Sequence, residues 1–192
     1  MATADLEPRL RADARRNRDR LLEVARTAFA AGQMPTLEAI ARDAGVGIGT
    51  FYRHFPTREA LIEAVYRVER AELCARVEPL LAEHGPVTAL RTWMNHYADF
   101  IATKRGMAEA LKVIIAEDTL ASARARENLN AAVGGLLTAG AQEGSLRGDV
   151  RPDDVVSTLV GIFLATDDHE QLGRMLDLLV DGLRAGAAAK HG

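Results

Sequence analysis

One cysteine in 192 residues, Cys74, excludes an intrachain disulfide and any multi-cysteine metal site, and fits a reducing compartment. Its setting, Ala71-Glu72-Leu73-Cys74-Ala75, reads as that of a small helix residue, with a redox sensor as the second reading. Long hydrophobic runs are missing too: nothing approaches the roughly 20 uninterrupted apolar residues of a membrane helix. The N-terminus, with Asp5, Glu7 and many arginines, carries no secretory core. A cytoplasmic protein without a membrane partner is expected. There is no segment of strand period, no internal repeat and no low-complexity linker. What remains is an all-α chain, long enough for a small head and a larger body with a core in each.

Lysine is absent from the first 58 residues, where every cation is an arginine. That segment holds ten Arg against seven Asp or Glu, a net of +3, while residues 59–192 hold fourteen basic and twenty acidic side chains, a net of −6. A basic head on an acidic body suits a phosphate-binding domain attached to a non-binding one. Arg9, Arg11, Arg15, Arg16, Arg18 and Arg20 form the densest run. They read either as groups that reach phosphates or the minor groove, or as a solvated helix face with pairs such as Arg15 with Asp19.

The motif with the most content lies between Thr36 and Leu61. Leu37, Ile40, Ala41 and Ala44 recur at helical spacing behind Thr36, a natural N-cap, and Gly45 ends the helix in the left-handed conformation while Val46 turns inward. A second helix is expected from Ile48 to His54 or Phe55, with Phe51 and Phe55 four apart and Pro56 closing it. Thr57 is a fresh N-cap, and Leu61, Ile62, Val65 and Val68 form the buried stripe of the next helix. Two short helices across a Gly-Val turn make a helix-turn-helix, and double-stranded DNA the first candidate partner.

On Thr36, Ile40, Ala41, Ala44, Gly45, Val46, Gly49, Tyr52, His54, Phe55, Glu59 and Leu61 the chain resembles the TetR family of one-component transcriptional regulators. The motif covers about the first third of the chain. It departs at Gly47, where Ser is usual, at Thr57 for Ser and at Arg58 for Lys; Gly47 removes a hydroxyl that caps the recognition helix, leaving backbone N–H groups for a phosphate. The resemblance implies a DNA-binding surface of Thr36, Gly47, Ile48, Thr50, Tyr52, Arg53, His54 and Arg58. Within it Arg53 can reach guanine O6/N7, Ile48 or the Thr50 methyl a thymine methyl, and Tyr52, Thr36 and Arg58 the phosphates. His54 reads equally as structural.

Nine helices in two domains are expected: residues 1–57 as the head and 58–192 as the effector-binding and dimerisation body. The first core helix, Arg11 to Ala31, buries Leu21, Leu22, Ala25, Ala28 and Phe29. The fourth runs from Arg58 to about Glu83, with Pro79 kinking or ending it. Later helices span Val87–Lys104, Gly106–Glu117, Thr119–Glu143, Asp153–Ala165 and His169–Ala185. Gly134-Gly135, costing about 1 kcal/mol each against Ala, signals a kink or a close helix approach.

Trp93, His96, Tyr97 and Phe100 share one face of the fifth helix. Such a stripe is ordinarily core, yet with Met107, Leu111, Ile114, Asn128 and Phe163 it also suits a cavity for an unidentified, largely apolar small-molecule effector. In the last two helices, Val156, Val160, Phe163, Leu172, Met175, Leu176, Leu179 and Leu183 are apolar beyond what one buried face needs. Family resemblance implies that these helices pair with their mates in a homodimer, which calls for a palindromic operator. The alternative is that they only close the monomer core.

No catalytic set converges, so no enzyme, metal or cofactor is expected. Asp167-Asp168-His169-Glu170 looks like a metal cluster on paper but lies between two helices, where acidic caps belong. The glycines from Gly45 to Gly49 follow no strand and precede no lysine, so they are no phosphate loop. The function expected is a DNA-binding repressor released by an effector. The alternative is a helical interaction module or adaptor that has lost specific DNA binding, with Gly47 as its hint.

Overall fold

The computed structural model describes the backbone of residues 6–106 and 119–186, and the side chains of 11–101 and 123–186. Those residues form nine helices and no strand: α1 Leu6–Ala30, α2 Leu37–Asp43, α3 Ile48–His54, α4 Arg58–Ala75, α5 Val77–Glu83, α6 Pro86–Gly106, α7 Thr119–Glu143, α8 Pro152–Ala165 and α9 His169–Leu183. The all-α expectation holds. The helix expected over Gly106–Glu117, with Met107, Leu111 and Ile114, lies outside the described residues. Among the described residues no helix is long and apolar enough to cross a membrane.

Residues 6–68 belong to one compact unit, and residues 69–101 and 119–186 to another. In the first, α1 contributes Leu21, Leu22, Ala25 and Phe29, α2 Ile40 and Ala41, α3 Phe51, and α4 Leu61, Ile62 and Val65 to a single core. Local chemistry sets these helices before packing does. Thr36 accepts the Ala39 N–H at 3.2 Å as N-cap of α2. At the other end Gly45, with φ of 66°, lets its own N–H reach the Arg42 carbonyl and that of Val46 reach Ala41. That left-handed turn satisfies two terminal carbonyls and buries Val46 beneath the helix it ends.

The helix expected from Arg58 to about Glu83, kinked or ended by Pro79, is two helices, and the split falls at Arg76. Proline has no N–H for the carbonyl four residues back, and its ring crowds that carbonyl, so the disruption falls at Ala75 and Pro79 sits in the first turn of α5. The break is also filled from outside. The Trp93 indole Nε1–H donates to the Leu73 carbonyl at 3.0 Å, which otherwise takes only the Arg76 N–H at 3.3 Å.

In the second unit α7 packs on α5 and α8, and α8 on α9. Gly134 and Gly135 lie within an uninterrupted α7. A Cβ on them would stand 3.4 Å from Pro152 and 3.5 Å from Val77, ordinary van der Waals contact, so neighbouring elements pack here without an approach that only glycine allows. Pro152 opens α8 with Asp153 and Asp154 in its first turn. Asp153 also accepts from Arg126 at 2.8 Å and Asn130 at 3.1 Å, and these bonds, Arg126 first, hold its carboxyl below the usual range. Asp168 caps α9 by accepting the Gln171 N–H at 2.8 Å, the role expected of that acidic turn.

Candidate nucleic-acid interface

The two faces of α3 separate cleanly. Phe51 and the C-cap Phe55 are buried in the head core, whereas Ile48 is 41% and Tyr52 44% exposed, beside exposed Gly47 and Arg53. Thr50 and His54 are half-buried at the edges of this face. Arg53 and His54 occupy the last turn of α3, where the Arg53 cation meets the negative end of the helix dipole favourably.

Thr36 and Arg58 are both engaged within the head. The Thr36 oxygen serves α2 as an acceptor, which leaves its O–H free to donate outward. Arg58 is half-buried and donates to the Pro35 carbonyl at 2.7 Å, tying the start of α4 to the strand of chain that enters α2. Thr57 caps α4 through the Ala60 N–H at 3.1 Å. In α1 Arg16 pairs with Asp13, whereas among the described residues the expected Arg15–Asp19 pair is not formed. Arg18, which spacing alone did not single out, stacks over the Phe55 ring at 5.3 Å.

Gly47 is the N-cap of α3 and makes no side-chain cap. Its φ of −62° and ψ of 141° suit any L-residue, and a Cβ there meets nothing within 4 Å. Gly47→Ser is therefore expected to stabilise the head by about 0.5–1 kcal/mol, from a new cap and a less flexible unfolded chain. Thermal melts of the full chain check this, and an unchanged or lowered midpoint contradicts it.

Two family models match the chain: one for bacterial regulatory proteins of the tetR family over residues 21–65, and one for the SbtR-like transcriptional regulator C-terminal domain over residues 85–185. A TetR transcriptional regulator of Streptomyces coelicolor is 44% identical, with 88% of this chain and 99% of that chain aligned at a TM-score of 0.76. The chain belongs to the TetR family of bacterial transcriptional regulators. A TetR regulator of Mycobacterium vanbaalenii is 38% identical over 91% of this chain and 99% of that one, at a TM-score of 0.73. No curated protein matches it.

In this TetR-family regulator the aromatic residues of α6 are packed against one another. Trp93, Tyr97 and Phe100 are buried, with Tyr97 5.4 Å from Trp93, 5.9 Å from Phe100 and, edge-on, 5.3 Å from Phe163 of α8. His96 lies half-buried beside them. Burial and then Arg76 push its imidazole below the ordinary value, against a smaller pull from Asp99, so near neutral pH it is an uncharged polar group. Asn128 is exposed, and its backbone carbonyl takes the Cys74 thiol at 3.6 Å. Burial raises that thiol further than Arg70 lowers it, which favours the small-residue reading of Cys74. A cleft of about 430 Å³ between α6 and α9 is lined by ion-paired groups, Arg91 with Asp177 and Arg184 with Asp181, and by none of the expected effector residues.

Helices α8 and α9 place the expected interface residues in two groups. Val156, Phe163, Leu176 and Leu183 are buried inside the unit and offer no outer surface; Val160, Leu172, Met175 and Leu179 are half-buried. Leu164 of α8, 81% exposed, and Leu178 of α9, 73% exposed, carry the large apolar side chains on the outer surface of these helices; Leu178 lies off the regular stripe of α9, several of whose residues face its own core.

Proposed function

We propose that this regulator is a cytoplasmic repressor that binds a palindromic operator as a homodimer and releases it when a small, largely apolar effector binds. Residues 1–57 form the DNA-binding head and residues 58–192 the effector-binding and dimerisation body. The observation that carries the proposal is the outward face of α3, where Ile48 and Tyr52 stand exposed beside Arg53 while Phe51 and Phe55 fix the helix from behind. A single helix of two turns offers too few base and phosphate contacts for specific binding, which favours two copies on successive major grooves.

Pairing through α8 and α9 is supported by Leu164 and Leu178, whose exposed side chains a second copy would cover. Effector binding is assigned to the side of α6 that carries His96, Tyr97 and Phe100, where an uncharged imidazole can orient an otherwise apolar molecule. Release follows if the bound body favours a separation of heads that no longer matches the half-site spacing.

The test is to recover genomic fragments retained by the purified full chain and footprint them. Two protected half-sites related by two-fold symmetry, about 10 base pairs or a multiple of that spacing apart, are expected. A single protected patch on every fragment contradicts the dimer, and retention without sequence enrichment contradicts operator recognition.

A further inference from the structure

Helix α1 runs on past the core of the head. Leu21, Leu22, Ala25 and Phe29 are its buried side. At 3.6 residues per turn, that side continues N-terminally through Arg18, Arg15 and Arg11, whereas Asp13, Arg16 and Arg20 fall opposite. The line of the apolar stripe is thus carried on by arginines, with no acid among these three positions.

Contacts divide the arginines in the same way. Arg16 pairs with Asp13 on the outer side. Arg18 is half-buried with its guanidinium over Phe55, the residue that ends α3, and Arg15 stands exposed about one turn further out. Among the described residues neither Arg15 nor Arg18 has an acidic partner. A guanidinium held by a ring keeps N–H donors at its edge, and the acceptor that best fills such a fork is a planar or tetrahedral oxyanion. Arg53, in the adjoining last turn of α3, makes the neighbourhood more positive still.

We propose that Arg15 and Arg18 bind backbone phosphates flanking the bases that α3 contacts, so that α1 lengthens the DNA footprint of the head. The inference rests on α3 being the recognition helix. Arg18 is placed by Phe55 and couples the two helices: the ring that closes the core behind α3 also orients a phosphate ligand beside it. Arg15 and Arg18 lie about 4.5 Å apart along α1, near enough for two long side chains to reach neighbouring phosphates of one strand.

The experiment is a salt titration of the full chain against a labelled random-sequence DNA duplex, read by fluorescence anisotropy. A phosphate contact contributes about 0.9 to the slope of log K against log salt. Arg15→Gln and Arg18→Gln are expected to flatten the slope by about 0.9 each and by about 1.8 together, while Arg16→Gln and Arg20→Gln leave it unchanged. Arg15 is exposed, so its variant reads phosphate contact without disturbing the core, and thermal melts identify any loss of folding in Arg18→Gln. A wild-type chain that binds while the Arg15 and Arg18 variants keep its slope overturns the inference alone, as does an equal flattening in the Arg16 and Arg20 variants. A wild-type chain with no salt-dependent binding overturns the DNA-binding reading beneath it.

Discussion

Trp93→Ala is expected to destabilise the second unit by about 3–5 kcal/mol, the range for emptying a fully buried large aromatic site. Trp93 has no solvent exposure and packs 5.4 Å from Tyr97, so its removal opens a cavity at the centre of the aromatic cluster. It also removes the indole donor that fills the Leu73 carbonyl where α4 stops. The two effects are separable. Trp93→Phe keeps most of the apolar volume and loses the donor, and is expected to cost about 1–3 kcal/mol. Urea unfolding followed by far-ultraviolet circular dichroism gives both numbers. A Trp93→Ala loss below about 1 kcal/mol contradicts the placement of this residue at the junction of α4, α5 and α6.

Gly140→Ala reverses the ordinary sign of a helix substitution. Alanine gains about 1 kcal/mol over glycine inside a helix. Here the added Cβ would lie 2.4–2.8 Å from Leu146, whose side chain is buried against that point of α7. Leu146 cannot move aside easily. Its N–H is bonded to the Gly140 carbonyl, Arg147 to Leu183 and Ala185 to Ser145, and Leu146 bridges antiparallel to Arg184. Overpacking should win, with a net loss of about 1–3 kcal/mol and a midpoint lower by several degrees. In a Leu146→Ala background the same change should cost clearly less, because the contacts at 2.4 and 2.5 Å are gone while that with the residue-146 Cβ at 2.8 Å remains. An additive double mutant contradicts the account.

These two sites also mark the limit of what the sequence conveys. Thr36, Gly45, Pro56 and Thr57 act on their immediate neighbours, so the boundaries of α2 and α3 were legible from spacing alone. The break at Arg76 was not, because a proline's effect is felt a turn earlier and the Trp93 donor that fills the gap is 20 residues away. Gly140 is one of three glycines in its helix, beside Gly134 and Gly135, and nothing local announces Leu146. Periodicity likewise gave α9 an apolar face without saying what it faces. Leu176 and Leu183 are spent on the unit's own core, and the exposed side is marked by Leu178, off the regular stripe. Within the head, the spacing along α3 separated buried Phe51 and Phe55 from exposed Ile48, Tyr52 and Arg53. Arg58 is a different matter. Its bond to Pro35 gives it a structural task that the sequence did not reveal.

The central claim is that the exposed side of α3 reads DNA, with Tyr52 on the backbone and Arg53 on the bases. Binding of wild type, Tyr52→Phe and Arg53→Ala to the recovered operator and to its single-base variants tests it most directly. Tyr52→Phe should weaken binding by a similar factor on every sequence. Arg53→Ala should cost about 1–3 kcal/mol on the operator and erase discrimination at one symmetry-related position in each half-site. Unaltered affinity in both variants, or an Arg53→Ala loss spread evenly over all base substitutions, would contradict the assignment.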